Sequence, residues 1–283
     1  MLLSVESYEI CRWLGEEVAF ALLKKAGFDA CDYSFYEGAK HLGEDYMDEA
    51  RRTKEALDKA GLICNQAHAP YELREGETFD TSSENYLQIV RSLEYAAFLG
   101  AKNIVVHFIV TQDRENTYSV NQQYFKTLIP FCEKFGIRIA AENDFERRNG
   151  EKLPVLNDPD LLQQFVRDLQ SDYVVACVDI GHAGMFNDPV AFLEKMDSSV
   201  LKMLHVHDND LNEDLHMFPY TCNIKWDKVC AALAGIGYDG DLTFEVVKGI
   251  HKIPDELKID AYVFLAKIGR HLIRKITKYK ERV

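Results

Sequence analysis

No stretch of the sequence reaches the roughly 18 consecutive apolar residues that a membrane-spanning helix needs, so no membrane partner is expected. The first residues, MLLSVESYEICRWLGEEV, show no basic segment leading into an apolar core, so no secretory leader is expected either. Cys-x-x-Cys pairs are also missing. The seven cysteines, Cys11, Cys31, Cys64, Cys132, Cys177, Cys222 and Cys230, make an odd number and lie mostly in apolar runs. That argues against a disulfide framework or a cysteine-based zinc site and implies a reduced, cytoplasmic chain with buried thiols. Basic charge is scarce: Lys and Arg total 33 against 46 Asp and Glu, a formal net charge of −13. Such a chain repels a phosphate backbone, so no nucleic-acid partner is expected, although a small phosphorylated ligand stays open. Pro/Ser-rich linkers and low-complexity segments are absent. So are the Gly-x-Gly-x-x-Gly and Gly-x-x-x-x-Gly-Lys-Ser/Thr loops of nucleotide folds.

What is present is an alternation of two patterns. Short apolar runs rich in β-branched residues, of the kind buried on both faces of a parallel sheet, lie at Leu62–Ala67, Asn103–His107, Ile137–Glu142, Val174–Asp179, Leu201–His207 and Leu242–Val247. Weaker runs lie at Leu2–Glu6 and Phe28–Tyr33. Between them come amphipathic stretches with helical spacing: Glu16–Ala26, Gly43–Ala60, Glu84–Leu99, Tyr118–Phe135, Asp158–Leu169, Pro189–Met196, Trp226–Ile236 and Asp255–Ile276. Gly27, Gly61, Gly100, Gly136 and Gly237 follow helical stretches, where glycine supplies a left-handed cap. About eight strand–helix units with right-handed crossovers close most naturally into a single α/β domain, a (β/α)8 TIM barrel spanning residues 1–283. An open doubly wound sheet is the alternative.

A barrel carries its active site at the carboxyl ends of its strands. Those ends read His68, His107, Glu142, Asp179, His205 and Glu245, with successive spacings of 39, 35, 37, 26 and 40 residues. Each alone has a structural explanation: a bonded core histidine, a loop glutamate, or a cap in the case of Asp179. Together they put acidic groups on one closed rim, where unpartnered carboxylates lose their charge or destabilise the fold. A divalent cation is an economical partner, and Glu142, Asp179, His205 and Glu245 form a three-carboxylate, one-imidazole set. Mn²⁺ or Zn²⁺ suits mixed oxygen and nitrogen ligands, as do Mg²⁺, Fe²⁺ or Co²⁺. His205 and His207 share a strand face, so either is a candidate ligand. His68, His107, His182, His207, Asp208, Asp214 and His216 form a second constellation, for substrate or for a further metal.

The series His-Ala-Pro-Tyr (68–71), Val-Val-His (105–107), Ala-Glu-Asn (141–143), Asp-Ile-Gly-His-Ala (179–183), His-Val-His-Asp-Asn-Asp (205–210), Asp-Leu-His (214–216) and Thr-Phe-Glu (243–245) resembles the xylose-isomerase-like TIM-barrel superfamily. That superfamily includes sugar phosphate isomerases and epimerases and endonuclease IV. The resemblance covers almost the whole chain, in order. It implies a divalent metal on Glu142, Asp179, His205 and Glu245, with His205 preferred because Asp208 completes a His-x-x-Asp pattern. It implies Glu142 and Glu245 as acid and base on opposite faces of a small sugar or sugar phosphate, acting through an enediolate. The chain departs from the family in two places. His216-Met217-Phe218-Pro219 stands where a glycine-rich turn is usual, and Leu211 stands where ketose 3-epimerases carry arginine. The set His68, His107, His182, Asp214 and His216 resembles the trinuclear zinc site of endonuclease IV, which keeps a multi-zinc phosphodiesterase acting on abasic DNA as the alternative. A homo-oligomer stays open.

Overall fold

The computed structural model describes residues 1–36, 41–71, 79–111 and 114–282. Eight parallel strands form one sheet in the order β10-β1-β2-β3-β4-β5-β8-β9. They are β1 (Leu3–Glu6), β2 (Ala30–Ser34), β3 (Ile63–His68), β4 (Asn103–Val105), β5 (Arg138–Glu142), β8 (Val174–Asp179), β9 (Leu201–His205) and β10 (Leu242–Phe244). Pairing of Val206 with Phe244 joins the last two strands, through Val206 N–H to Thr243 O at 2.9 Å and Glu245 N–H to Val206 O at 3.2 Å. The sheet is thereby a nearly closed TIM barrel, as expected.

The longer helices between the strands are α2 (Glu16–Ala26), α3 (Tyr46–Ala60), α4 (Glu84–Leu99), α5 (Arg114–Phe135), α6 (Pro159–Asp168), α9 (Trp226–Gly235) and α11 (Asp255–Lys280). Gly27, Gly61, Gly100, Gly136 and Gly237 all take positive φ at or just beyond helix ends, the role the sequence suggested for them. The expected helix at Pro189–Met196 is α8 (Pro189–Glu194), and short helices absent from the sequence reading are α1 (Tyr8–Leu14), α7 (Ile180–Phe186) and α10 (Val247–His251). The expected ends of β4, β9 and β10 are shorter than read. His107, His207 and Val247 lie past the ladder, where the chain turns onto the rim.

A hairpin interrupts the strand–helix repeat after β5. Its strands are β6 (Asp144–Arg148) and β7 (Glu151–Val155), joined by Asn149 and Gly150, both at positive φ. Asn-Gly between extended runs is a strong hairpin signal. A regular strand–helix repeat would place only a loop there.

Strand parity decides what fills the barrel. Val105, Ala140, Val175, Cys177 and Met203 form a separate buried apolar cluster. Ala140, Cys177 and Met203 each sit two residues before Glu142, Asp179 and His205. With a side-chain period of two, the strand face that fills the interior with apolar groups also delivers the polar groups at its upper end. A much larger cluster packs the outer strand faces against the helices.

Helix α11 approaches the barrel closely at Gly269. A Cβ there would lie 2.3 Å from Leu3 Cδ1 and 2.8 Å from Phe244 Cε2, and both of those side chains are fully buried. Gly269→Ala gains about 1 kcal/mol of helix propensity but overpacks a filled core, so a net loss of about 1–3 kcal/mol is expected in urea unfolding. Equal or greater stability would show that Leu3 has a second rotamer to move into.

Candidate active site

The strand ends converge as their spacing suggested. One donor atom from each of Glu142, Asp179, His205 and Glu245 lies within 4.8 Å of the others, and all four residues are buried. Around a small cation with ligand bonds of about 2.1 Å, opposite donors stand about 4.2 Å apart. A slight contraction would therefore fit the set to one divalent ion. His205 Nδ1 hydrogen-bonds Glu142 Oε1 and lies 3.6 Å from Glu245 Oε2. Tyr36 donates its hydroxyl to Glu245 Oε1 at 3.3 Å.

Asp179 has two roles. Its Oδ1 caps α7 by accepting the His182 backbone N–H at 2.7 Å. The same carboxylate meets His207 Nε2 at 3.0 and 3.1 Å. The carboxylate thus caps a helix and faces an imidazole of the rim at the same time. Gly181 explains the spacing of the Asp-Ile-Gly-His motif: a Cβ there would sit 1.9 Å from His207 Cε1. Only a residue without a side chain lets α7 begin against that ring.

A second cluster adjoins the first. Donor atoms of His182, His207, Asp214 and His216 also lie within 4.8 Å of one another. His216 Nε2 is 2.9 Å from Asp214 Oδ1, and His182 Nε2 is 3.7 Å from the same oxygen. His207 stacks on His216 with ring centroids 4.0 Å apart, and its Nδ1 is buried without a hydrogen bond. Lys248 pairs with Asp214 Oδ2 at 2.9 Å. His68 and His107 stand on the other side, with ring centroids 6.1 Å apart, and Tyr71 stacks on His107 at 3.8 Å.

Asp208 is not in either cluster. Its carboxylate accepts Cys222 N–H at 3.1 Å, Ile224 N–H at 3.1 Å and the Trp226 indole at 3.0 Å. It folds the base of the rim loop, so the expected substrate or metal contact is replaced by a structural one.

Two residues of the site were missed in the sequence. Asp32, in the middle of β2, accepts His68 Nδ1–H at 2.9 Å and Gln66 Nε2–H at 2.7 Å. Glu6, ending β1, accepts Ser34 Oγ–H at 2.8 Å. Glu6 occupies the strand-end position used for the other strands, so extending that reading to β1 finds it, whereas Asp32 lies two residues before the end of β2.

The electrostatics follow from burial against pairing. Burial alone would raise the Glu142 carboxyl, but the His205 ring holds it below the ordinary range. Asp179 is likewise pushed up by burial and pulled well down by His182 and His207. Burial disfavours charge on His182, yet Asp179, Asp144, Glu142 and Asp214 raise it to about 10. His216 is opposed by burial and raised to about 9 by Glu245 and Asp214. Without a metal ion, imidazolium groups supply the positive charge this acidic rim requires.

Glu6 has no such cation strong enough to win. Burial lifts its carboxyl from 4.5 to about 8, against the lowering effect of the Tyr8 N–H and Ser34 hydroxyl. Between about pH 4.5 and 8 the folded chain keeps a proton that the unfolded chain has released, so stability falls as pH rises through that window. Glu6→Gln removes this dependence. Its stability relative to the native chain should improve with pH across the window, by about 1.4 kcal/mol per unit at most. Urea unfolding of both proteins at pH 5 and pH 8 checks this; an equal difference at the two pH values would refute the shift assigned to Glu6.

Comparison with known proteins places this geometry. Residues 20–264 match the xylose isomerase-like TIM-barrel family. An uncharacterised protein, y4fM, of Sinorhizobium fredii is 24% identical over 264 residues, covering 83% of this chain and 82% of its own. Sugar epimerases are among the solved structures with this fold. A D-psicose 3-epimerase structure determined with D-fructose superposes with a TM-score of 0.75 at 18% identity, over 96% of this chain and 99% of the other. The IolI protein, solved with a bound zinc atom, gives 0.69 at 16% identity over 99% of each chain. With the family matched across most of its length and its strand ends converging on one acidic and imidazole centre, the chain belongs to the xylose isomerase-like TIM-barrel family.

Proposed function

We propose that the chain is a divalent-metal-dependent sugar or sugar-phosphate isomerase or epimerase. The observation that carries this reading is the pair Glu142 and Glu245, which reach one centre from different strands and meet His205 Nδ1 between them. Glu142, Asp179, His205 and Glu245 would hold the cation, and their mixed donors fit Mn²⁺ or Zn²⁺. Such an ion supplies Lewis-acid polarisation of a substrate carbonyl. The chain supplies the proton chemistry. Glu142 Oε1 is engaged by His205, and Glu245 Oε1 by Tyr36. Each carboxylate has a second oxygen with which to take or return a carbon-bound proton. In this reading His182, His207 and His216 of the adjoining cluster would bond hydroxyls or a phosphate.

The second reading, a multi-zinc phosphodiesterase, draws on the second cluster and on His68 Nε2, which is buried without a hydrogen bond. Charge weighs against it. Among the described residues, three rim cations are already committed: Arg147 and Lys152 to Glu213, and Lys248 to Asp214. Together with a net charge of −13, this leaves little to neutralise a DNA backbone. Zinc-loaded protein should not incise abasic duplex DNA at physiological salt; efficient incision would reverse the order of the two readings.

The direct test is a panel of ketoses, inososes and their phosphates with Mn²⁺ or Zn²⁺, read by solvent deuterium incorporation. Glu142→Gln and Glu245→Gln should each lower turnover of the substrate so found by about 10²- to 10⁴-fold. Metal content must be measured in each variant, since a lost ligand also lowers turnover. Full exchange in both metal-replete variants would place the proton on another group and sink the two-glutamate mechanism.

A further inference from the structure

Asp32 lies in the middle of β2, yet it gathers imidazoles from two other strands. Its Oδ1 accepts His68 Nδ1–H at 2.9 Å, and its Oδ2 accepts Gln66 Nε2–H at 2.7 Å. The same Oδ2 stands 3.4 Å from His205 Nε2. Gln66 is itself held, its Oε1 accepting the Thr243 hydroxyl at 2.9 Å. Asp32, Gln66, His68, His205 and Thr243 are all buried, so no exchange with bulk water loosens the set.

We propose that Asp32 is the positioning residue of the centre, fixing the tautomer of two imidazoles at once so that His68 presents Nε2 and His205 presents Nδ1. The His205 half rests on the reading of that residue as a metal ligand. A neutral imidazole has one N–H, and a buried carboxylate acceptor decides which nitrogen carries it. His68 gives its Nδ1–H to Asp32, so its lone pair is on Nε2, the atom that is buried with no hydrogen bond. His205 Nδ1 donates to Glu142 in the metal-free chain, and its Nε2 faces Asp32 at 3.4 Å; a cation held on Nδ1 would displace the proton there, and the one N–H left to the ring would be the Nε2–H aimed at Asp32. A carboxylate behind a ligating imidazole fixes ring orientation and raises ligand basicity. Here one carboxylate serves two rings. Asparagine cannot replace it, because Gln66 and His68 both direct donors at the position and an amide has only one oxygen to accept them.

The first measurement is ¹⁵N NMR of histidine-labelled native protein, with and without Zn²⁺. In both states hydrogen is expected on His68 Nδ1 and on His205 Nε2; with Zn²⁺, His205 Nδ1 should show the shift of a metal-bound nitrogen. A bare Nδ1 on His68, or a bare or metal-bound Nε2 on His205, overturns the proposal. The second measurement is Co²⁺ titration of Asp32→Asn, read by visible absorption. Affinity should fall about 10- to 100-fold with an altered spectrum; native affinity and spectrum overturn the proposal. If Asp32→Asn does not fold, the NMR of the native protein decides. A native protein that binds no cation refutes the metal reading alone, because the two proton positions are still observed without it.

Discussion

The interior of a nearly closed barrel is too narrow for charges to stand apart, and that constraint organises this molecule. Strand parity sends Asp32, Glu142, Asp179 and Glu245 to one rim, where desolvation penalises each by several kcal/mol unless it is paired. The pairing comes from imidazoles on other strands or on the rim. His68 stands against Asp32, His205 against Glu142, His207 against Asp179, and His216 against Asp214. Asp32, Glu142, Asp179 and Asp214 are thereby kept ionised in a place that would otherwise protonate them. Glu6, the rim acid without a strong partner, shows what happens when pairing fails: its proton stays on.

Around this centre the rim loop is anchored very differently at its two ends. Asp208 holds the inner end with three donors from buried or part-buried groups. Farther out, Glu213 links the loop to the hairpin through Arg147 and Lys152, partly exposed pairs that contribute at most about 1 kcal/mol each. The barrel side of the entrance is therefore fixed, whereas the hairpin side is held by interactions that water and salt readily replace. The bulky segment His216–Asn223 is built onto the fixed side.

The barrel was legible in the sequence because strands buried on both faces and glycine-capped helices carry strong local signals. The convergence of Glu142, Asp179, His205 and Glu245 was legible for the same reason, each being a polar residue at or near the carboxyl end of a clear apolar run. Asp32 and Glu6 were not found, because their strands carry Ser, Asp and Tyr among the apolar residues, which weakens an apolar reading. Asp208 was misassigned because sequence spacing cannot tell a carboxylate facing the barrel axis from one turned toward its own loop. That choice depends on Trp226, which lies 18 residues downstream and whose indole reaches back to it. The hairpin had its Asn-Gly turn in plain view and was lost only to the expectation of regularity.

Gly181 and His207 illustrate how such a centre constrains the way its own sequence can change. The helix start and the ring interlock so closely that a methyl group on one falls inside the other. While His207 keeps its place, any side chain at position 181 must push the ring away from Asp179. If the ring were replaced by a small residue, glycine would no longer be required. The two positions are thus a single genetic locus spread over 26 residues of chain. A lineage can leave the Gly–His combination by changing position 207 first, whereas a first step at position 181 disrupts the ring that holds Asp179. Substitutions at these sites are ordered in time by geometry.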